Sequence, residues 1–198
     1  ENGRKAAIES LDDIRRRLEA AGTRMLFVTA GMGGGTGTGA SPGIAKLAHE
    51  MGILTVGIVT SPLAVEGKIR YEQAFRGIEE LSRNVDSLLV INNENIVEMY
   101  GRLSLKQAFG KADDILASAA KGIAEIITVE SDMVNVDFAD VSKVMRDSGR
   151  AHMSVATAEG EHRAAEVARA SLESPLLDHT LISGAKNTLL NISTSDAD

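Results

Sequence analysis

Six glycines and two threonines lie within a nine-residue stretch that can bind an anion through its backbone. The stretch runs from Gly31 to Gly39 and directly follows a short apolar run. Glycine permits a positive φ and a close approach to a ligand, and the N–H groups at the start of a following helix attract negative charge. We expect that helix over Ala40 to Met51, with hydroxyl donors from Thr36 and Thr38. The pattern fits a phosphate-binding loop, and it also fits a structural turn.

Two general phosphate-loop motifs match the stretch incompletely. A Walker loop needs Gly-Lys-Ser/Thr, and no such lysine follows these glycines. The looser dinucleotide motif G-x-G-x-x-A matches Gly35 to Ala40, but the next apolar run, Ile53 to Thr60, ends without the acidic residue that would bind a ribose. This partial match leaves a dinucleotide-dependent oxidoreductase as one alternative.

Composition limits the class of protein. The chain has 198 residues, of which 43% are apolar and 25% charged, with a net charge of −7 and no cysteine. These values are ordinary for a globular protein, and they exclude disulfides and thiolate metal sites. The acidic balance argues against nucleic-acid binding, and the apolar runs are too short for direct membrane insertion. We expect a cytoplasmic protein whose side chains form no metal site.

Apolar runs alternate with helical patterns along the first half of the chain. A helical spacing over Ile8 to Leu18 is followed by predicted strands at Met25 to Val28, Ile53 to Thr60 and Ser87 to Ile91, with helices between them that end near Met51 and Leu81. Continuous apolar strands between helices are typical of a parallel α/β sheet. The sequence therefore predicts a Rossmann-like lobe.

The second half begins with a long amphipathic pattern from Ala108 to Val129, which predicts a central helix packed on more than one side. A short helix, a strand, a helix and a last strand are then predicted over Ala139 to Asp147, His152 to Ala156, His162 to Leu172 and Thr188 to Ser193. We expect an incomplete α+β second lobe, with domains over residues 1–130 and 131–198.

Two segments carry a resemblance to a known family. Gly33 to Gly39, GGGTGTG, resembles the signature of the tubulin/FtsZ superfamily, and Met133 to Val141 is similar to the FtsZ-type loop that completes the active site of a neighbouring subunit. Two motifs in the expected order and distance argue against chance agreement. Members of this family have a further phosphate loop before the region of Glu1 and continue beyond that of Asp198, so we expect an internal fragment without the N-terminal strands.

The resemblance implies a site for GTP or GDP with associated Mg²⁺. The residues that would surround the phosphates are Gly33, Gly34, Gly35, Thr36, Gly37 and Thr38. The residues that would bind the sugar, the phosphates or the base are Glu66, Arg70, Asn93, Phe109 and Asp114. In this assignment Phe109 stacks on the base, and the Asp114 carboxylate accepts hydrogen bonds from the guanine edge.

Several of these residues also have plain structural interpretations. Glu66 and Arg70 are four residues apart, as in an ordinary helical ion pair. Asn93 follows a strand and suits a turn or a helix cap, Asp114 suits a solvent-facing helical acid, and Phe109 suits a core position.

Three further residues match the catalytic loop of the family. Asn135, Asp137 and Asp140 would enter the nucleotide pocket of the next subunit and orient or polarise the water that attacks the γ-phosphate. Without the resemblance, Asp137 and Asp140 are an acidic pair that caps a short helix.

The resemblance thus implies a GTPase that assembles head-to-tail into the ring that divides bacterial cells, in the cytoplasm at mid-cell. Membrane adaptors and other division proteins would bind a tail that is absent from this sequence. An alternative is an inactive or truncated module that keeps the polymer-forming surfaces but does not bind GTP by itself.

Overall fold

The computed structural model describes residues 2–101, 104–129, 136–172 and 184–192. In this part of the chain, helices and strands alternate as far as the helix Asn93–Tyr100, two further helices precede the last strand, and a short 3-10 helix covers Ala64–Glu66. The elements are α1 Asn2–Ala20, β1 Met25–Gly31, α2 Thr36–Glu50, β2 Leu54–Ser61, α3 Lys68–Ser82, β3 Ser87–Asn92, α4 Asn93–Tyr100, α5 Leu105–Thr128, α6 Phe138–Met145, β4 Gly149–Ala151 and α7 Arg163–Leu172.

The strands form one parallel sheet in the order β1-β2-β3-β4. At its carboxyl edge, Gly31 of β1 is opposite Thr60, and Ser61 of β2 is opposite Asn92. The three strands predicted from apolar runs are confirmed, and so is the α/β fold class. Because the strands are parallel, the loops that follow β1, β2 and β3 all emerge at this carboxyl edge.

The core lies on both faces of β2, where every residue but the last is buried. Leu54, Val56 and Ile58 point to one face and pack with buried alanines of α5 and with Val141 of α6. Val59 points to the other face and packs with apolar residues of α2 and α3. This two-sided burial explains why β2 reads as a continuous apolar run rather than an alternating one.

Helix α2 begins at Thr36, four residues before the predicted start at Ala40. The glycines allow this early start, because a Cβ on Gly37 would lie only 2.7 Å from the carbonyl oxygen of Gly31. The helix can therefore turn directly off the end of β1. The predicted helix start was wrong, because most of the Thr-Gly stretch forms the first helical turn instead of a loop.

The strand predicted at His152 to Ala156 was wrong, and the sheet contains the three-residue β4 just before it. After Ala151 the chain leaves the sheet edge, because the Met153 side chain packs on the long helix at Gly122, 2.6 Å from where a Cβ would lie. The strand predicted at Thr188 to Ser193 is also absent over the described residues 188–192. Leu190 and Ile192 are about three-quarters exposed there, and a strand requires a partner that no described segment provides.

Candidate functional site

The glycine loop contains both paired and open backbone groups. The Gly33 amide donates to Thr38 Oγ1 at 2.8 Å, and the Met32 amide donates to the Thr60 carbonyl at 2.9 Å, which ties the loop to β2. Gly33 has a φ of +103°. Gly34 and Gly35 are exposed, and no described heavy atom lies within 4 Å of the position that a Cβ would take on either. The free space in the loop is therefore directly before the N-terminus of α2.

Other glycines of this region permit close packing of backbones. A Cβ on Gly3 would lie 2.5 Å from the Gly35 carbonyl oxygen, and one on Gly39 would lie 2.9 Å from the Arg4 amide. The start of α1 consequently packs directly against the start of α2. Local sequence patterns do not predict this contact of α1 with the loop, because it depends on small residues that are far apart in the chain.

Glu66 and Arg70 form the ion pair that their spacing suggests. Arg70 Nη1 lies 2.8 Å from Glu66 Oε2, while Glu66 Oε1 accepts a hydrogen bond from the Leu63 amide at 2.9 Å. The Glu66 side chain is 15% exposed and that of Arg70 is 59% exposed. The Arg70 carbonyl lies next to Gly33, since a Cβ there would be 3.0 Å from its oxygen. The pair thus borders the glycine loop, with the arginine facing solvent.

Two consecutive asparagines at the end of β3 have different environments. Asn92 Oδ1 accepts from the Glu94 amide at 3.0 Å and from Ser61 Oγ at 3.3 Å, and so caps α4. Asn93 is 6% exposed, and its Oδ1 has no hydrogen-bond partner among the described residues. A buried acceptor without a partner is rare and costly in a folded protein. Asn93 Oδ1 is therefore a buried acceptor at this edge that lacks a hydrogen-bond donor among the described residues.

Phe109 and Asp114 lie in the first half of α5. Phe109 is 37% exposed, and Asp114 is an exposed acid whose Oδ2 lies 3.6 Å from Lys111 Nζ. Helix α5 packs beside α4, where Lys111 Nζ lies 5.6 Å from the centre of the Tyr100 ring. At 3.6 residues per turn, Asp114 is about 140° around the helix from Phe109, whereas Asp113, four residues after Phe109, shares its face.

The acidic pair of the second motif caps α6. Asp137 Oδ1 accepts from the Asp140 amide at 2.9 Å, and Asp140 Oδ2 accepts from the Asp137 amide at 3.3 Å. Both residues are exposed. The two acids thus form the helix cap that they also suit without a catalytic role, and both residues are still exposed to solvent. Asn135, the third predicted catalytic residue, lies outside the described residues.

The acidic pair lies at the opposite edge of the sheet from the glycine loop. The guanidinium of Arg24, which precedes β1, lies 4.1 Å from the ring centre of Phe138, the residue next to Asp137. Arg24 marks the amino end of β1, and Gly31 marks its carboxyl end. The seven residues of β1 span about 20 Å at ~3.3 Å each. One molecule therefore cannot bring its acids to its own glycine loop.

Neither a metal cluster nor a membrane span is found in the described part of the chain. Among residues 2–101, 104–129, 136–172 and 184–192, no three His, Cys, Asp or Glu side chains group as metal ligands would. No described helix is both long and apolar enough to cross a bilayer.

Two family models match the chain. Residues 1–101 match the tubulin/FtsZ family GTPase domain, and residues 149–197 match the FtsZ family C-terminal domain. The first match includes the glycine loop, Glu66, Arg70 and Asn93.

Individual proteins agree with these matches. The cell division protein FtsZ of Porphyromonas gingivalis is 50% identical over 97% of this chain and 42% of its own length. The protein of the same name from Pseudomonas putida is 49% identical over 97% of this chain and 48% of its own length. A structure described as an empty FtsZ dimer from M. jannaschii has a TM-score of 0.83 and 43% identity, covering 89% of this chain and 50% of that one.

The chain spans about half the length of the curated relatives that it matches. The GTPase-domain match alone covers just over half of the chain, residues 1–101. Together with the parallel sheet and its glycine loop, this match establishes that the chain belongs to the tubulin/FtsZ family.

Proposed function

We propose that the protein binds GTP at the carboxyl edge of its sheet and hydrolyses it with acids supplied by a second copy. The observation that carries this proposal is the separation of Asp137 and Asp140 from the glycine loop by the length of the sheet. A contact between the carboxyl edge of one copy and the amino edge of the next would unite the two halves. Such a contact is head-to-tail, and its repetition produces an open filament.

The phosphates of the nucleotide would lie over Gly34 and Gly35. Open space, exposed backbone amides and the N-terminus of α2 coincide there, and this combination favours a phosphate group. Gly33 and Gly37 would shape the loop, and the Thr36 and Thr38 hydroxyls would donate to phosphate oxygens.

The sugar and the base would bind on either side of the loop. Glu66 would bind the ribose, and Arg70, which is mostly exposed, would reach the phosphates or the sugar. Asn93 Oδ1 would accept from a ribose hydroxyl or from the base and so complete its hydrogen bonding. Phe109 would stack on the guanine, and Asp114 would accept from its edge after exchanging its contact with Lys111.

Mg²⁺ would be held mainly by the nucleotide. Glu66 already binds the Leu63 amide and Arg70, and Glu94 accepts from the Ala64 amide. Neither carboxylate is therefore available as the main protein ligand of a metal ion. This fits Mg²⁺, which in phosphate sites keeps several waters and binds substrate oxygens. The ion would neutralise charge on the β- and γ-phosphates. Asp137 and Asp140, with Asn135, would orient the attacking water, which yields GDP and phosphate.

The family supports the wider biological role. We propose a division protein that forms filaments in the cytoplasm at the division site, with domains over residues 1–130 and 131–198. Membrane adaptors and other division proteins would be its partners. An interaction module without turnover of its own is the second candidate, and the capping role of Asp137 and Asp140 favours it, because that role explains both residues without catalysis.

The test is nucleotide binding and turnover in the full natural length of the protein, with the 198-residue chain measured beside it. We expect micromolar binding of GTP, weaker binding of ATP, and loss of that preference in Asp114→Ala. Asp113→Ala is the matched control, because it removes a neighbouring exposed acid. If Asp113→Ala abolishes the preference and Asp114→Ala does not, the guanine contact belongs to the face shared with Phe109.

Turnover separates the two candidate functions. Asp137→Asn keeps a good helix cap but removes the charge. We expect it to assemble normally and to hydrolyse GTP at least about a hundredfold more slowly, within the range of general acid–base catalysis. Normal turnover in this variant would refute a catalytic role for Asp137, and absence of turnover in the unaltered protein would favour the interaction module.

A further inference from the structure

The carboxylate of Asp86, the residue just before β3, is fully buried. It lies between the end of α2 and the turn that follows α6. Its Oδ2 accepts from the Thr55 amide at 2.8 Å and lies 3.6 Å from His49 Nδ1. Its Oδ1 accepts from the Asp147 amide at 3.4 Å and lies 3.8 Å from Arg146 Nη1. One oxygen thus faces the sheet and the end of α2, and the other faces the turn after α6.

The turn that follows α6 is hydrogen-bonded to neighbouring segments. Asp147 is in the left-handed region with a φ of +52°, which aspartate adopts more readily than most residues. Its amide binds Asp86, and the following Gly149 amide donates to the Asp86 carbonyl at 3.0 Å. Arg146 also donates from Nη2 to the Gly52 carbonyl at 3.4 Å. The residues after α6 are therefore hydrogen-bonded to the carboxylate and the backbone carbonyl of Asp86 and to the carbonyl of Gly52.

Asp86 also lies where two functionally important helices end. Helix α2 begins at the glycine loop and ends beside His49, while α6 begins with Asp137 and ends beside Arg146. Helix α6 has eight residues, so its length is about 12 Å. A tilt at its Arg146 end moves the acids at its other end, even though Val141 and Met145 anchor one face in the core.

We propose that Asp86 and Arg146 are positioning residues that set Asp137 and Asp140 for attack on the nucleotide of the neighbouring subunit. The inference rests on the proposed function, in which those acids act in a second copy. Neither residue touches the nucleotide in this arrangement. Their loss should therefore lower turnover in filaments while the affinity for GTP stays the same.

The experiment measures GTP affinity, turnover in filaments and thermal stability in the full natural length of the protein. The variants are Asp86→Asn, Arg146→Met, the two combined, and Arg146→Lys. The Arg146 side chain is 42% exposed, so its variants should fold even if Asp86→Asn does not. Lys143→Met is the matched control, since Lys143 is an exposed cation of the same helix with no ion pair to Asp86. Asp137→Asn reports on the proposed function itself.

We expect Arg146→Met to lower turnover about tenfold, less than the hundredfold that a displacement of about 1 Å can cost, with GTP affinity within about twofold of normal. Arg146→Lys should recover most of the rate, and Lys143→Met should not change it. The double variant should be no slower than the slower single one, because both changes break the same contact.

The inference is overturned if Arg146→Met leaves turnover normal while Asp137→Asn abolishes it. It is also overturned if affinity, turnover and stability fall together, or if Lys143→Met has the same effect, since these results indicate general destabilisation. Normal turnover in Asp137→Asn would instead refute the proposed function, and the inference with it.

Discussion

Two buried polar side chains, Asn93 at the carboxyl edge of the sheet and Asp86 at the amino edge, differ in how completely they are hydrogen-bonded. At the carboxyl edge, Gly34 and Gly35 are exposed, and the buried Oδ1 of Asn93 has no described partner. At the amino edge, the buried carboxylate of Asp86 accepts two backbone amides and lies near a histidine and an arginine. The Asp86 carboxylate is thus satisfied within the described part of the molecule and the Asn93 carboxamide oxygen is not, although Ser87 Oγ, next to Asp86, is a further buried atom without a described partner.

In the proposed function, this difference separates a side chain that binds nucleotide from one that stabilises the fold. A buried acceptor without a partner destabilises a protein unless a ligand completes it, whereas a buried carboxylate with several donors stabilises the segments that it joins. Substitution of Asp86 should therefore lower the free energy of unfolding, whereas substitution of Asn93 should mainly lower nucleotide affinity.

The largest effect is expected for Asp86→Ala, which leaves the Thr55 and Asp147 amides without their acceptor. We expect the free energy of unfolding to fall by about 3 kcal/mol, as for other buried networks that lose a charged member. Urea unfolding measures this change. Glu161→Ala removes an exposed acid and should stay within about 0.5 kcal/mol of the unaltered chain. Equal stabilities for the two variants would contradict the distinction between the edges.

A pair of glycine variants tests the loop. In Gly37→Ala the new methyl group meets the Gly31 carbonyl oxygen at 2.7 Å, so we expect a loss of about 2 kcal/mol in stability. In Gly34→Ala the new methyl group has no described atom within 4 Å, so this variant should unfold at the same temperature as the unaltered protein. If the open space holds phosphate, Gly34→Ala still weakens GTP binding in a filter-binding or calorimetric assay. Normal affinity in this variant would move the phosphate away from Gly34.

Substitutions of the two asparagines at the end of β3 should have opposite effects on stability and on GTP affinity. Asn93→Leu removes an unpaired acceptor and should leave the melting temperature unchanged or higher, with GTP affinity lowered about tenfold, or ~1.4 kcal/mol. Asn92→Ala removes the cap of α4 and should cost about 1 kcal/mol of stability, with a smaller effect on affinity. Calorimetry and isothermal titration measure the two quantities. A large loss of stability in Asn93→Leu would show that Asn93 is structural.

A change in stability as small as that of Asn92→Ala is expected at the start of α6. Asp137→Ala should lose about 1 kcal/mol because the cap is removed, and Asp137→Asn should lose almost nothing because asparagine also caps helices. Thermal unfolding of the two variants checks this difference. Equal losses would mean that the charge of Asp137, rather than its capping hydrogen bond, stabilises α6.

Much of the carboxyl edge could be predicted from local sequence patterns. The apolar runs located β1, β2 and β3, and the order of strands and helices then placed the glycine loop and Asn93 at one edge. The family resemblance added roles for residues such as Glu66, Arg70 and Asp114, which remain predictions. The start of α2 was misplaced, because close packing of Gly37 on Gly31 depends on a contact that local helix propensity does not register.

The amino edge was much harder to predict. Asp86 stands in the sequence between the polar residues Ser82 to Asn84, with Val85, and the apolar run of β3, and nothing near it indicates burial. Its partners, from His49 to Asp147, come from segments far apart in the chain. The misplaced strand at His152 to Ala156 has the same cause, since the packing of Met153 on Gly122 decides where β4 ends.

The central claim is that the glycine loop and the acidic pair form one site only between two molecules. The most direct test mixes two variants of the full-length protein at a GTP concentration too low for the first variant to bind. One copy carries Gly34→Ala with Asn93→Leu, and the other carries Asp137→Asn with Asp140→Asn. Sedimentation with a labelled copy verifies that they assemble together. If the claim is right, the equal mixture regains about a quarter of normal GTP turnover, because random head-to-tail contacts pair an intact loop with intact acids that often. Turnover in the co-assembled mixture no higher than the average of the two variants would contradict the claim.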